Sequence, residues 1–183
     1  DFSVRVTGAI ANDVQQTTQA LWERLSQGKP SAVKRVKTAI ETLPQVLKRS
    51  HWHIHAHTGQ VLAELVLRDN ITNRRQIERA YLKAIGDARI DIIIANAYFF
   101  PGLGFRRALV AAASRGVKVK LMLQGRVEYR WLHHATRALY GSLLSGGVEI
   151  IEYHKSFMHA KVAVIDSDWA TVGSSNIDPF SFM

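Results

Sequence analysis

Near its C-terminal end the chain reads Phe157-Met158-His159-Ala160-Lys161-Val162-Ala163-Val164-Ile165-Asp166, then Ser167-Asp168-Trp169, then Ala170-Thr171-Val172-Gly173-Ser174-Ser175-Asn176. Two β-rich runs flanking a short polar turn signal a hairpin. With Ser167 and Asp168 as a two-residue turn, Asp166 faces Trp169, Lys161 faces Ser174 and His159 faces Asn176. Residues at i and i+2 share a face, as do directly opposed residues, so one hairpin face is expected to present His159, Lys161, Ser174 and Asn176 together. A nucleophile or proton carrier, a fixed cation, a hydroxyl and an amide are the groups a phosphodiester needs. Lys161 strengthens the reading, because an ammonium flanked by apolar residues is costly to bury without an anion. Asp166 reads as a turn residue. A slip of one residue in the turn would dismantle this geometry.

The spacing also matches a known signature. His-x-Lys-x4-Asp followed by x6-Gly-Ser-x-Asn marks the phospholipase D superfamily, and His159, Lys161, Asp166, Gly173, Ser174 and Asn176 fill every position of it. Upstream, Ala97-Tyr98-Phe99-Phe100-Pro101, Arg115-Gly116-Val117, Leu143 to Val148 and Tyr153 resemble segments of bacterial cardiolipin synthases of the B type. The opening Val4-Arg5-Val6-Thr7-Gly8 resembles the segment that follows the first signature in those enzymes. The resemblance covers most of the chain and is weakest from about Gly28 to His57.

That resemblance implies a two-step phosphatidyl transfer. One histidine attacks phosphorus to give a phosphohistidine, while a second protonates the leaving alcohol and then activates the incoming one. Lysine and asparagine side chains stabilise the phosphoryl oxygens, so neither metal nor cofactor is required. It implies His159, Lys161 and Asp166 as catalytic residues, with His159 as the general acid. Lys161, Ser174 and Asn176 would bind the phosphate, with Tyr98 and His154 at the pocket rim. Such a site needs two signatures, so the other must come from elsewhere in the same chain or from a second subunit. The chain resembles the second half, with the acidic residue that usually follows Asn176 and orients the histidine expected beyond Met183. The implied substrates are phosphatidylglycerol and a second phospholipid or alcohol, handled by a peripheral enzyme at the cytoplasmic face of a bacterial membrane.

The elements that would position these residues follow from periodicity. Phe2, Val4 and Val6 alternate with polar residues as in a half-buried strand, and a helix follows over Ala9–Leu25. Asn73 could cap a helix running to Gly86. Ile90–Ala95 reads as a buried strand, Phe105–Ser114 as a helix, and Val117–Leu123 as a strand. Trp131–Leu144 reads as a helix bearing surface histidines His133 and His134, and Val148–Tyr153 as a strand. Strands alternating with helices predict an α/β fold, a phospholipase D-like half with a mixed, mostly parallel sheet flanked by helices and a terminal β-hairpin carrying the signature. Three divisions are expected: 1–28, strand and helix from the end of a preceding half; 29–57, a basic linker or membrane-facing segment; and 58–183, a second phospholipase D-like domain truncated at its C-terminus.

Composition bounds the partners. The 183 residues carry a formal net charge of +9, which attracts polyanions: nucleic acid, an anionic membrane surface or a phosphorylated substrate. Without any cysteine there is no disulfide framework and no thiolate metal site. No apolar run approaches the roughly 18 residues of a membrane span. Between Ser31 and Arg49, Val33, Val36, Ile40, Leu43 and Leu47 fall at helical spacing among Lys34, Arg35, Lys37 and Lys48, a basic amphipathic pattern suited to anionic headgroups or to a solvated domain edge. His51, His53, His55 and His57 alternate with Trp52, Ile54 and Ala56. On a strand they would share a face, but alternate positions lie too far apart for one ion to take more than about two or three of them, so no metal site is assigned. Charge alone does not choose among these; the resemblance implies anionic phospholipid and a membrane surface as partners, rather than nucleic acid. Two other classes fit the same residues: a single-signature phosphodiesterase or nuclease acting as a homodimer, and a non-catalytic membrane-binding fragment.

Overall fold

The computed structural model describes residues 2–26, 61–67, 75–127 and 130–178. The basic segment with Lys34, Arg35, Lys37 and Lys48, the alternating histidines and Asn73 lie outside them. The chain divides into two compact units, one of Asp1–Val4 with Arg68–Met183 and one of Arg5–Leu67. In the second unit, helix α1 (Ala9–Ser26) buries Ile10 and exposes Trp22. Its extent matches the expectation. Residues 2–7, expected as a strand, form none: Phe2 and Val4 are exposed, and no described strand supplies the ladder partner that alternation alone cannot provide.

The larger unit runs α2 (Gln76–Asp87), β1 (Asp91–Asn96), α3 (Leu103–Ser114), β2 (Lys118–Gln124), α4 (Arg130–Ala138), α5 (Tyr140–Ser145), β3 (Glu149–Tyr153), β4 (Lys161–Ile165) and β5 (Trp169–Val172). The five strands form one mixed sheet in the order β3-β2-β1-β4-β5. β1, β2 and β3 are parallel; β4 lies antiparallel to β1, and β5 antiparallel to β4. Ile92 and Ile94 of β1 meet Val119 and Leu121 of β2 and Ile165 and Ala163 of β4 on one face, which packs against Tyr81, Ile85, Phe105 and Leu109 of α2 and α3. On the other face Ile93 and Val164 are 43% and 41% exposed among the described residues, so β1 is half-buried rather than the fully buried strand its composition suggests.

The single helix expected over Trp131–Leu144 is two, parted at Leu139. Buried Thr136 offers its carbonyl to the Leu139 amide at 3.0 Å, which tightens the last turn of α4. Arg115, just past α3, satisfies the end of α2. Its Nη2 donates to the carbonyls of Ile85 and Gly86 at 3.0 and 3.2 Å, groups that a helix end leaves without intrahelical partners. Gly116 follows at φ +91, a left-handed conformation that turns the chain into β2.

Candidate active site

The hairpin register differs from the expectation by one residue. Ile165 pairs with Trp169, Val164 with Ala170, Ala163 with Thr171 and Val162 with Val172, so three residues, Asp166 to Asp168, make the turn. Lys161 then faces Gly173, whose amide donates to the Lys161 carbonyl at 3.0 Å, and not Ser174. The cause lies in Asp166. Its carboxylate accepts the backbone amides of Arg89 at 2.7 Å, Ile90 at 2.8 Å and Asp91 at 2.9 Å, which ties it to the start of β1 and takes it out of the β4–β5 ladder. Asp166 and Ser167 both adopt positive φ, 54° and 60°, and aspartate tolerates that region better than most residues. The amides of Ile90 and Arg89 hold the Asp166 carboxyl below the usual carboxylate range against a smaller opposing desolvation, with Asp91 and the Arg89 charge assisting.

Asp166 therefore sits at the opposite edge of the sheet from His159. Lys161 and Asp166 are separated by the length of β4, about 16 Å at strand rise. The structure does not bring Asp166 to the other signature residues.

The edge that carries Lys161 is built by topology. The parallel strands β1, β2 and β3 all end there, at Asn96, Gln124 and Tyr153, while antiparallel β4 begins there. The C-terminal edge of parallel strands is where open α/β sheets place their ligands. Lys161 is the cross-strand partner of Asn96, so the two side chains share a face. Lys161 is only 7% exposed, and its ammonium lies 6.0 Å from the centre of the Tyr98 ring. Exposed His159 packs edge-on against the same ring, centroids 6.4 Å apart. Tyr98 thus contacts both residues.

Ser174 and Asn176 arrive by another route than hairpin pairing. After β5 the chain bridges Ile177 to Phe99, and the Phe100 amide donates to the Ile177 carbonyl at 2.8 Å. Since β4 lies between β5 and β1, residues 174–176 must cross the beginning of β4, beside Lys161. The amide of Ile177 donates to Oδ1 of fully buried Asn96 at 3.3 Å, which anchors the crossover. Among the described residues, Nδ2 of Asn96 and Oδ1 of Asn176 are buried without a hydrogen-bond partner. Asp178, two residues past Asn176, is buried at 6% exposure.

His154 is also at this edge, its ring against Gly125 so closely that a Cβ there would come within 2.5 Å of it. Its Nε2 is 3.4 Å from Glu152, which also accepts the Tyr140 hydroxyl at 3.1 Å and lies 3.7 Å from Arg137. Burial, then the Glu152 charge and hydrogen bond, push the Tyr140 hydroxyl well above its ordinary range. Sequence reasoning passed over Asn96, Gln124, Arg126 and Asp178. A signal existed for Asn96, an amide interrupting an apolar strand at its C-terminal end. Nothing local marked the other three. Among the described residues no group of three or more His, Asp or Glu side chains could hold a metal ion.

Comparison with known proteins identifies relatives of the chain. The family model "Cardiolipin synthase, PLD-like domain" matches residues 81–183. Cardiolipin synthase B of Escherichia coli K12 is 40% identical over 99% of this chain and 40% of its own length. Cardiolipin synthase 2 of Bacillus anthracis is 40% identical over 58% of this chain and 21% of its own. The chain thus spans about 40% of the length of cardiolipin synthase B. Among solved structures, Nuc of Salmonella typhimurium, a phospholipase D family member, aligns at a TM-score of 0.49 and 28% identity, covering 57% of this chain and 66% of that one.

Proposed function

Because the chain belongs to the phospholipase D-like domain family of cardiolipin synthases, we propose that it supplies one signature half of a phosphatidyltransferase. The reaction would join two phosphatidylglycerols into cardiolipin and release glycerol. The observation that carries this reading is the contact of one ring, Tyr98, with both His159 and the buried Lys161 at the C-terminal edge of the parallel strands. It is supported by cardiolipin synthases being the relatives matched along the whole chain.

In this reading an imidazole nitrogen from the other signature half attacks the phosphorus of the first phosphatidylglycerol. The bond from phosphorus to the glycerol oxygen breaks, and that oxygen takes a proton from His159. A hydroxyl of the second phosphatidylglycerol then returns a proton to His159. Its oxygen displaces the histidine nitrogen, and cardiolipin leaves. Lys161, with Asn176 and Ser174 on the crossover, stabilises the negative oxygens of each pentacovalent transition state. Asp166 is assigned to holding the fold. The protein would act as a peripheral enzyme on an anionic bilayer; among the described residues no helix is long and apolar enough to cross a membrane.

The test uses the full-length protein. His159→Ala is expected to lower transfer from labelled phosphatidylglycerol by at least the 10² to 10⁴ that general acid–base catalysis contributes, with folding and vesicle binding kept. More than about a tenth of wild-type turnover would remove His159 from the chemistry. Cleavage of plasmid DNA with no lipid product would instead make the protein a nuclease.

A further inference from the structure

His159 is delivered by a connector, residues 154–158, that no strand supports. The ladder beside it stops with the Gly125 amide on the Tyr153 carbonyl at 3.0 Å and resumes with the Ala97 amide on the Ala160 carbonyl at 2.9 Å. Between those points the connector is held by side chains from the end of β2. Arg126 donates from Nε to the His154 carbonyl at 2.9 Å and from Nη2 to the Lys155 carbonyl at 2.8 Å. The same guanidinium lies 5.7 Å from the centre of the exposed Phe157 ring. Gln124 accepts the Arg126 amide on Oε1 at 3.2 Å and directs Nε2 to the Met158 carbonyl at 3.4 Å, a long contact. Two side chains thus grip four of the five residues that lead into His159.

We propose that Arg126, oriented by Gln124, is a positioning residue for the transfer reaction, clamping the connector so that His159 is held against Tyr98 and beside Lys161. This rests on the role given to His159 above. The planar fork of arginine reaches two successive carbonyls at once, from Nε and from Nη2, while a lysine ammonium acts as a single point donor. Reacting groups must be placed closely, and a displacement of about 1 Å can cost on the order of 10²-fold in rate.

The experiment compares wild type, Arg126→Ala, Arg126→Lys and Gln124→Glu in the full-length protein. Gln124→Glu keeps an acceptor for the Arg126 amide and removes the donor to Met158. Rates are measured on phosphatidylglycerol and on bis(p-nitrophenyl) phosphate, and loosening of the connector is read as tryptic cleavage at Lys155–Ser156, whose carbonyl Arg126 holds. Arg126→Ala is expected to speed that cleavage about tenfold or more and to lower kcat roughly 10- to 100-fold with KM within about threefold. Arg126→Lys should recover less than half of the loss on a logarithmic scale, and Gln124→Glu should fall between it and wild type. Unchanged cleavage at Lys155, or a loosened connector with unchanged kcat, overturns the proposal. So does a general fall in melting temperature with cleavage throughout the sheet, since the arginine would then only be supporting the fold. Turnover of bis(p-nitrophenyl) phosphate with none of phosphatidylglycerol would defeat the lipid reading alone, and the clamp would still be judged on the rates with bis(p-nitrophenyl) phosphate.

Discussion

At the scale of single residues, two signature positions that sequence treats alike do unlike things. Lys161 is buried at the edge where His159 and Tyr98 meet. Asp166 is directed to three backbone amides at the far edge. Asp166→Asn keeps the shape and the tolerance for positive φ but removes the charge that those amides stabilise. A carboxyl whose folded pKa lies below its unfolded value contributes stability above the unfolded value, near pH 3.9, and loses it as pH falls through the depressed folded value. Asp166→Asn should therefore melt at a lower temperature than wild type at pH 7, and the two should converge as pH falls below about 4. Its kcat should drop far less than that of His159→Ala. Thermal melts from pH 7 down to pH 2.5 check the first point, and a gap that stays constant with pH would show that the charge is not the cause.

At the scale of elements, the junctions matter more than the strands. Asp166 lengthens the hairpin turn and shifts its register, and the crossover anchored by Asn96 then brings residues 174–176 past Lys161 by another path. The α3–β2 junction depends on Gly116 at φ +91, beside the Arg115 side chain that holds the end of α2. A Cβ at Gly116 would meet nothing within 4 Å, so Gly116→Ala isolates the backbone effect. It is expected to cost about 1–2 kcal/mol, the penalty for a side chain in the left-handed region. Urea denaturation should show this as a lower midpoint with an unchanged slope. A loss near zero would mean that the junction relaxes to negative φ.

For the whole molecule, the formal charge of +9 is a property of no single site. Full-length protein is expected to bind phosphatidylglycerol vesicles more tightly than phosphatidylcholine vesicles, with the preference weakening as salt is added, because charge attraction is screened beyond about 8–10 Å. Replacing Lys34, Arg35, Lys37 and Lys48 by Gln removes four charges, each contributing roughly 1 kcal/mol near an anionic surface, and should weaken vesicle binding by tenfold or more. Turnover of bis(p-nitrophenyl) phosphate should stay as it was. Vesicle co-sedimentation at several salt concentrations decides it, and equal binding to both lipids would remove the membrane role of this segment.

What sequence alone determined was whatever is encoded locally. Alternating and helical spacing located the helices and strands of the sheet domain within a few residues, because each has one face against the same core. The spacing of His159, Lys161, Gly173, Ser174 and Asn176 named the family, because motif spacing survives without any knowledge of folding. Tertiary structure alone decided the rest. The turn at Asp166 is set by amides 75 to 77 residues away in the chain, and no local turn preference can anticipate such partners. Phe2 to Val6 shows the converse: with no pairing strand among the described residues, alternation makes no sheet there, because a β-strand is stabilised by a neighbour rather than by itself. The clamp on His159 is likewise invisible in sequence, since Arg126 and the carbonyls it holds are 28 and 29 residues apart and meet only because β2 and β3 end at the same edge.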